Sequence, residues 1–191
     1  VVGHTHLFSA AYAALRAKAP DLGHLLRLST AGGNHGPFRE GIGPLWDYAP
    51  HDVAFCLDLT GEKPLSAAGR REESASPGPG ENLRLALGFR EGVSAEIHVG
   101  NLFPEKRRLF EAGYEKGTLT IDDLKRDKLT FRPLSGPAQS VPLDEGEPLQ
   151  RQLRAFGRSI ESGSRDLSTL RLGVSVVEVL SACQRTLNIR V

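Results

Sequence analysis

Alternating apolar and polar residues dominate the middle of the chain. Residues 82–90 carry an apolar side chain at every second position, and residues 93–102 repeat the pattern after a tight Glu91-Gly92 turn. Period two is the spacing of a half-buried strand, so these two runs predict a β-hairpin. The other predicted strands are His24–Thr30, Leu65–Glu72, Arg107–Tyr114, Thr118–Asp122 and Lys128–Pro133. Short turns between neighbouring strands favour a mainly antiparallel sheet.

Helical spacing of apolar residues precedes and follows these strands. A first helix is predicted over Ser9–Lys18, with Ser9 as its N-cap and Pro20 just beyond its end. Two helices close the chain, over Pro148–Ser162 and Leu170–Leu187. This order of elements predicts an α+β fold, in which a mainly antiparallel sheet has helices packed on one face. The opposite face is left for solvent or for a partner.

A further helix is predicted over Leu45–Leu59, directly after a glycine-rich loop at 32–43. Pro50 lies inside this helix, so either the helix proper begins near Pro50 or the helix bends there. The choice matters because Asp47 and His51 lie four residues apart. On a continuous helix they would share one face, whereas a helix that begins at Pro50 weakens that argument.

Composition narrows the classes of protein. The 191 residues suffice for one domain, and 39% are apolar and 25% charged, as in ordinary globular proteins. A net charge of +1 argues against nucleic-acid binding, and no apolar run is long enough to span a membrane. Cys56 and Cys183 lie in apolar contexts and are expected to be buried free thiols, which fits the cytoplasm.

Asp47 and His51 are the first candidates for chemistry. An imidazole titrates near neutral pH, so it can take the proton of an alcohol while a hydride leaves the same carbon. A nearby carboxylate can hold the imidazole in one tautomer or bind a substrate hydroxyl. The alternative is a capping aspartate and a histidine at the edge of the core, and the residues alone slightly favour it. Asp52, next to His51, is expected to be a solvated or capping residue.

The glycine-rich loop holds further polar candidates. Arg39 is suited to a phosphate or carboxylate group, and Asn34 or His35 to hydroxyls. The alternative is a flexible surface loop, which composition alone favours. Gly41-Ile42-Gly43 lacks the preceding strand and the third glycine of a dinucleotide fingerprint, so we expect no cofactor-binding residues in this chain.

His4 and His6 suggest a metal site at first sight. On a strand, alternate side chains point to opposite faces, so the two imidazoles would diverge. No zinc-type spacing of ligands is found elsewhere in the sequence, and we therefore expect no bound metal.

The segment Leu45–Asp52 (Leu-Trp-Asp-Tyr-Ala-Pro-His-Asp) resembles the Asp-x-x-x-His motif of the glucose–fructose oxidoreductase, inositol dehydrogenase and rhizopine-catabolism (Gfo/Idh/MocA) family. An internal proline is compatible with the Trp-Asp-x-Ala-Pro-His-Asp pattern of one subgroup. Further segments with this likeness are Val2–Phe8, which resembles the strand leaving the nucleotide-binding domain, and Gly36–Arg39, Leu59–Pro64, Phe103–Arg108 and Gly113–Leu119. The resemblance spans nearly the whole chain, but only the C-terminal domain of the family.

The resemblance implies a two-domain oxidoreductase that uses NAD or NADP on sugars, inositols or nucleotide sugars. Residues 1–191 would then be a single substrate-binding and oligomerisation domain, without the N-terminal Rossmann domain. This chain alone is expected to be inactive and to bind no cofactor. A sugar-like small molecule would be its ligand, and a homo-oligomer would form through the open face of the sheet.

The resemblance also assigns roles to individual residues. His51 is the favoured general base, and Asp47 would orient it or bind the substrate. The expected substrate-binding residues are Arg39, Trp46, Asn34 and His6. The Glu62-Lys63-Pro64 triplet stands at the wrong place to supply the family's catalytic lysine. The alternatives are a non-catalytic binding or dimerisation module with a structural Asp/His pair, and a metal-dependent enzyme built on the six histidines.

Overall fold

The computed structural model describes residues 2–72, 79–144, 146–163 and 165–187. Most of the turn predicted at 74–80 lies outside them. The strands are β1 Leu25–His35, β2 Ser66–Arg71, β3 Asn82–Gly88, β4 Ser94–Gly100, β5 Leu102–Tyr114, β6 Gly117–Asp122, β7 Leu129–Pro133 and β8 Gln139–Ser140. The α-helices are α1 Ala10–Lys18, α2 Pro44–Asp47, α3 Ala49–Thr60, α4 Pro148–Glu161 and α5 Ser168–Thr186. Short 3₁₀ helices span Thr5–Phe8, Ala19–Leu22 and Arg90–Gly92.

These strands form one sheet in the order β2-β3-β4-β1-β5-β6-β7-β8. β1 and β4 run parallel, with Leu28 opposite Ala95, and the other neighbouring pairs are antiparallel. The predicted α+β class with a mainly antiparallel sheet is therefore confirmed. The predicted hairpin is confirmed as well, as β3 and β4 joined by the 3₁₀ helix at Arg90–Gly92.

One face of the sheet is covered by helices. Leu85 of β3 and Ile97 of β4 are fully buried on this face, whereas Arg84 and Glu96, on the opposite face, form an ion pair there. Burial of such side chains stabilises the fold by about 1.5–3 kcal/mol each. We call the opposite side, with Arg84 and Glu96, the open face.

The predicted loop at 32–43 is wrong in its first part, because β1 continues through the glycines to His35. Gly33 pairs with Gly100 of β4, and a Cβ atom at Gly33 would lie only 2.0 Å from the carbonyl oxygen of Gly100. Glycine at this position lets two strands approach closely. The glycines therefore serve strand packing here, and the loop is confined to the residues after His35.

Pro50 divides the predicted helix in two. α2 ends at Asp47, Tyr48 separates the helices, and Pro50 lies in the first turn of α3, where its missing N–H costs nothing. The helix proper thus begins near Pro50, as one of the two alternatives stated. Gly61 ends α3 in the left-handed conformation (φ 70°).

β5 begins at Leu102, five residues before the predicted Arg107. The extension pairs with the glycine end of β1, where Leu102 lies opposite His35 and Arg107 opposite Gly33. β8, a strand of only two exposed residues at the sheet edge, was not predicted. The extension of β5 arises from pairing with β1, which is distant in sequence, and the two residues of β8 are too few to show a period.

Candidate functional site

A cavity of about 230 Å³ opens where the end of β1, the start of α3 and β5 meet. The 3₁₀ helix at Thr5–Phe8 closes one side of it. Its polar lining consists of His6, Ser9, Asn34, Tyr48, His51, Asp52, Lys106, Arg107, Arg108 and Asp123. The structure thus brings together three of the six predicted site residues, namely His6, Asn34 and His51.

His6 and His51 are in direct contact inside the cavity. Their ring centroids lie 4.4 Å apart with an edge-on geometry. Burial lowers the pKa of both imidazoles, that of His6 to about 4, and the neighbouring Arg108 lowers both further. Both rings are therefore neutral at pH 7. Each Nδ1 atom is buried and has no hydrogen-bond partner among the described residues.

Arg108 defines the tautomer of His6. Its Nη1 lies 2.9 Å from Nε2 of His6. A guanidinium only donates hydrogen bonds, so Nε2 must accept and the ring proton of neutral His6 resides on Nδ1. His6 therefore presents an N–H donor, whereas His51 has no such constraint and keeps a nitrogen able to accept a proton.

Asp52 lies buried beneath this pair, which makes the expectation of a solvated or capping residue wrong. Burial raises the pKa of its carboxyl to about 7, against the opposing effects of Thr30 and Arg108. A Cβ atom on Gly32 would approach Oδ2 of Asp52 to 2.7 Å, so the glycine leaves the space that the carboxyl occupies. A signal was present in the sequence: residues 53–57 are apolar throughout, as in a helix buried on all sides.

Asp47, Arg39 and Trp46 lie outside the cavity lining. Oδ1 of Asp47 is 3.3 Å from Nη1 of Arg39, and Nε1 of Trp46 donates to Oε1 of Gln184 at 2.9 Å. Asp47 has only the smallest effect on the pKa of His51, which it raises. Because the helix breaks at Tyr48, the argument that Asp47 and His51 share a helix face is wrong.

His4 and His6 do not lie on a strand. The prediction that their side chains point to opposite faces of a strand is therefore wrong, and so is the prediction that Val2–Phe8 forms a strand like that of the family. Residues Thr5–Phe8 form a 3₁₀ helix, preceded by His4. Burial lowers the pKa of His4, and its Nε2 is buried without a hydrogen-bond partner in the described structure. The curved backbone turns both imidazoles toward protein instead of to opposite sides.

Three consecutive cations, Lys106, Arg107 and Arg108, lie on β5 beside the cavity. Lys106 and Arg108 face it, whereas the guanidinium of Arg107 lies 4.9 Å from the ring centroid of Phe103, which contacts His98 on the open face. The strand prediction, which began at Arg107, gave these cations no functional role. The sequence did contain a signal for them, namely a run of like charges on one strand. The alternation of apolar and polar residues in a strand does not require such a run.

Cys56 and Cys183 are buried free thiols, as expected. Across the described ranges, no group of three or more His, Cys, Asp or Glu residues is placed to hold a metal ion. In the same part of the chain, no helix has the length and apolar character needed to cross a membrane.

Comparison with solved structures finds oxidoreductases that share the fold of this chain. A proposed oxidoreductase from Magnetospirillum magnetotacticum MS-1 is 34% identical, with a TM-score of 0.84, over 95% of this chain and 62% of its own. UDP-N-acetylglucosamine 3-dehydrogenase GnnA from Acidithiobacillus ferrooxidans is 16% identical, with a TM-score of 0.82, over 98% and 61%. Biliverdin reductase from Synechocystis sp. PCC 6803, solved with biliverdin and NADP+, is 19% identical, with a TM-score of 0.79, over 97% and 62%.

The latter two likenesses, at under 25% identity, concern the fold alone. No protein-family model and no curated protein matches the sequence. The chain spans about three fifths of the length of the solved structures described above, at 61–62%.

The fold is that of an oxidoreductase C-terminal domain. The structural neighbours are oxidoreductases of the Gfo/Idh/MocA type, so the resemblance seen in the sequence is confirmed for the C-terminal domain of that family.

Proposed function

We propose that this chain is the substrate-binding domain of a two-domain, NAD(P)-dependent oxidoreductase that acts on a hydroxyl-bearing carbon of a sugar, an inositol or a nucleotide sugar. The observation that carries the proposal is the contact between two partly buried, neutral imidazoles in a polar cavity, with ring centroids 4.4 Å apart. A neutral imidazole can accept the proton of an alcohol. GnnA, whose fold this chain shares, is named as a dehydrogenase of a nucleotide sugar, which supports the substrate class.

His51 is the proposed general base, because its Nδ1 is buried without a described partner and its lowered pKa keeps it unprotonated. His6 is the proposed donor to the substrate oxygen, through its Nδ1–H. Asn34 and Ser9 offer hydrogen bonds to further hydroxyls of a polyol. Asp47, Arg39 and Trp46 lie outside the cavity lining, so they would bind a part of the substrate that extends beyond the cavity toward α2 and the loop before it.

NAD or NADP would supply the acceptor for the substrate's hydride. The cavity of about 230 Å³ is smaller than the roughly 300–1,000 Å³ of typical pockets for drug-sized ligands, so it suits a monosaccharide and not a dinucleotide. Biliverdin reductase, a neighbour in fold, was solved with NADP+. We therefore place the dinucleotide on a second domain of the full-length protein.

The exposed face of α4 supports a second domain. Leu149, Leu153, Phe156 and Ile160 form one apolar stripe and are 47–64% exposed. Pro148, the first residue of the same helix, lines the cavity. Large exposed apolar patches usually mark interaction sites. A nucleotide-binding domain seated on this stripe would cover it and also border the cavity.

Hydrogen exchange tests this placement. Amides over residues 149–160 should exchange more slowly in the full-length protein than in this chain alone, because the second domain would shield α4. Equal exchange in both would contradict the domain contact. Tight binding of NADH or NADPH by this chain alone, measured by fluorescence, would contradict the two-domain proposal itself.

We further propose a homo-oligomer through the open face of the sheet, in the cytoplasm. Within the described ranges no helix covers the open face, and two buried free thiols suit a reducing compartment. Replacing Glu96 and Arg84, which pair on this face, should lower the oligomer mass measured by light scattering if that face is the contact.

The decisive experiment is His51→Gln in the full-length protein. Loss of a general base should lower kcat by about 10²–10⁴-fold. His98→Gln is the matched control, because His98 is also partly buried but lies on the open face, and it should keep kcat within about threefold. Unchanged sugar oxidation in His51→Gln would leave the alternative of a non-catalytic module with a structural histidine.

A further inference from the structure

Lys106 and Arg108 carry charge into the cavity that no described carboxylate offsets. Neither forms an ion pair with a carboxylate among the residues that the structure describes; Nη1 of Arg108 instead faces the neutral imidazole of His6 at 2.9 Å. Arg107, between them on β5, points to the other side of the strand, where its guanidinium lies 4.9 Å from the ring centroid of Phe103. Other basic side chains near the sheet behave differently. Arg84, for example, contacts both Glu72 and Glu96.

The two acidic residues of the cavity do not neutralise these cations. Oδ1 of Asp123 lies 3.0 Å from Nζ of Lys128, so its charge is already paired. Asp52 is buried, and burial raises its pKa to about 7, which leaves it only partly ionised at neutral pH. The cavity therefore keeps an excess of positive charge next to its two neutral histidines.

We propose that Lys106 and Arg108 form an oxyanion subsite for a carboxylate or phosphate group of the substrate, whose hydroxyl-bearing carbon faces His6 and His51. The inference rests on the proposed function and narrows its substrate class to anionic sugars or polyols. A guanidinium offers parallel N–H donors that match the two oxygens of a carboxylate or phosphate. The cations and the imidazoles line one cavity of about 230 Å³, so a single small molecule can reach both.

The phosphates of a nicotinamide dinucleotide present the same oxyanion chemistry. The size of the cavity favours a small anionic sugar over the dinucleotide. The experiment tests both sources of the oxyanion. Glucose and glucuronate form a matched pair that differs only at C6, where glucuronate has a carboxylate in place of the hydroxymethyl group. NADP+ supplies the phosphates of the cofactor.

Isothermal titration of this chain with each ligand tests the proposal. Glucuronate should bind about tenfold more tightly than glucose at low salt, because one charged hydrogen bond contributes about that factor. High salt should reduce the difference, since the cations are exposed to solvent. Equal binding of the two sugars, or no binding of glucuronate, would overturn the proposal.

Variants locate the effect. Arg108→Gln should abolish the preference for glucuronate. Lys63→Gln removes the same charge from an exposed pair with Glu178 outside the cavity and should keep the preference. An equal loss in both variants, or NADP+ binding that is stronger than that of glucuronate and depends on Arg108, would contradict a substrate subsite. His51→Gln should retain the preference for glucuronate whether or not His51 is the general base. The oxyanion subsite and the general base are therefore tested independently of each other.

Discussion

The cavity and the open face of the sheet use the same types of side chain in opposite ways. On the open face, Nε2 of His98 lies 2.9 Å from Oε2 of Glu72, and Arg84 binds both Glu72 and Glu96. In the cavity, by contrast, the histidines contact each other and an arginine, and no carboxylate of the described residues forms a hydrogen bond with them. On the open face, side chains of opposite charge pair with one another and stabilise the surface. In the cavity, charged and polar atoms without such partners are available to bind a ligand.

Electrostatics differ between the two regions as well. Burial lowers the pKa of His98, but Glu72 opposes that effect and favours the imidazolium. Burial also lowers the pKa of His51, and there His4 and Arg108 act in the same direction as burial. In the cavity, every large effect lowers the pKa of His51. Its imidazole therefore stays neutral, as a proton acceptor requires.

The largest expected effect on stability contrasts Asp52 with Glu72. The folded-state pKa of Asp52, about 7, lies above its ordinary value of 3.8. The protonated carboxyl is therefore favoured in the folded state, and the stability that this preference provides at low pH is lost as pH rises through 7. Asp52→Asn should therefore raise the free energy of unfolding at pH 8 by about 2 kcal/mol, and by less at pH 5. Urea denaturation at both pH values measures this.

Glu72 should behave in the opposite sense. Its pKa is lowered by Arg84 and His98 against an opposing effect of burial, so its ionised form stabilises the folded state above its ordinary pKa. Glu72→Gln should lower the stability at pH 8, by less than about 1 kcal/mol because the group is partly exposed. A fall in stability for both variants at pH 8 would remove the distinction between the two regions.

A second contrast in stability is expected from adding one methyl group on each side of the sheet. Gly32→Ala should destabilise by about 1–3 kcal/mol, since its Cβ would lie 2.7 Å from the buried carboxyl of Asp52. Gly113→Ala meets Cγ of Arg27 at 2.9 Å, a flexible and exposed side chain, and should cost less than about 1 kcal/mol. Thermal unfolding of both variants decides; equal losses would contradict a tightly filled cavity floor.

The smallest expected effect is a shift in the pH profile of the full-length enzyme. The charge of Arg108 lowers the pKa of His51, so Arg108→Gln should move the acid limb of kcat/KM to higher pH. Arg84→Gln, on the open face, should leave that limb in place. An unmoved acid limb in Arg108→Gln would mean that His51 is not the group whose protonation the profile reports.

Some of the site could be predicted and some could not. His51 and Asn34 were predicted as candidates, and the structure places both in the cavity. The argument that Asp47 and His51 share a helix face failed because Pro50 starts a new helix and Tyr48 separates the two residues. Asp52 was assigned to solvent because burial depends on what packs over a helix, here β1 with Gly32, and not on the helix alone.

By itself, the sequence determined most of the helices and strands and the class of fold. The reason is that the spacing of apolar residues, every second position in a strand or every third to fourth in a helix, is a local property of the chain. The sequence also determined the likeness to the Gfo/Idh/MocA family through short motifs. Only the tertiary structure decided which side chains share the cavity. His6 and Arg108 lie 102 positions apart and meet because β1 pairs with β5 while the N-terminal 3₁₀ helix folds against α3. Burial then set the protonation of His6, His51 and Asp52, since desolvation acts only on groups that the fold removes from water.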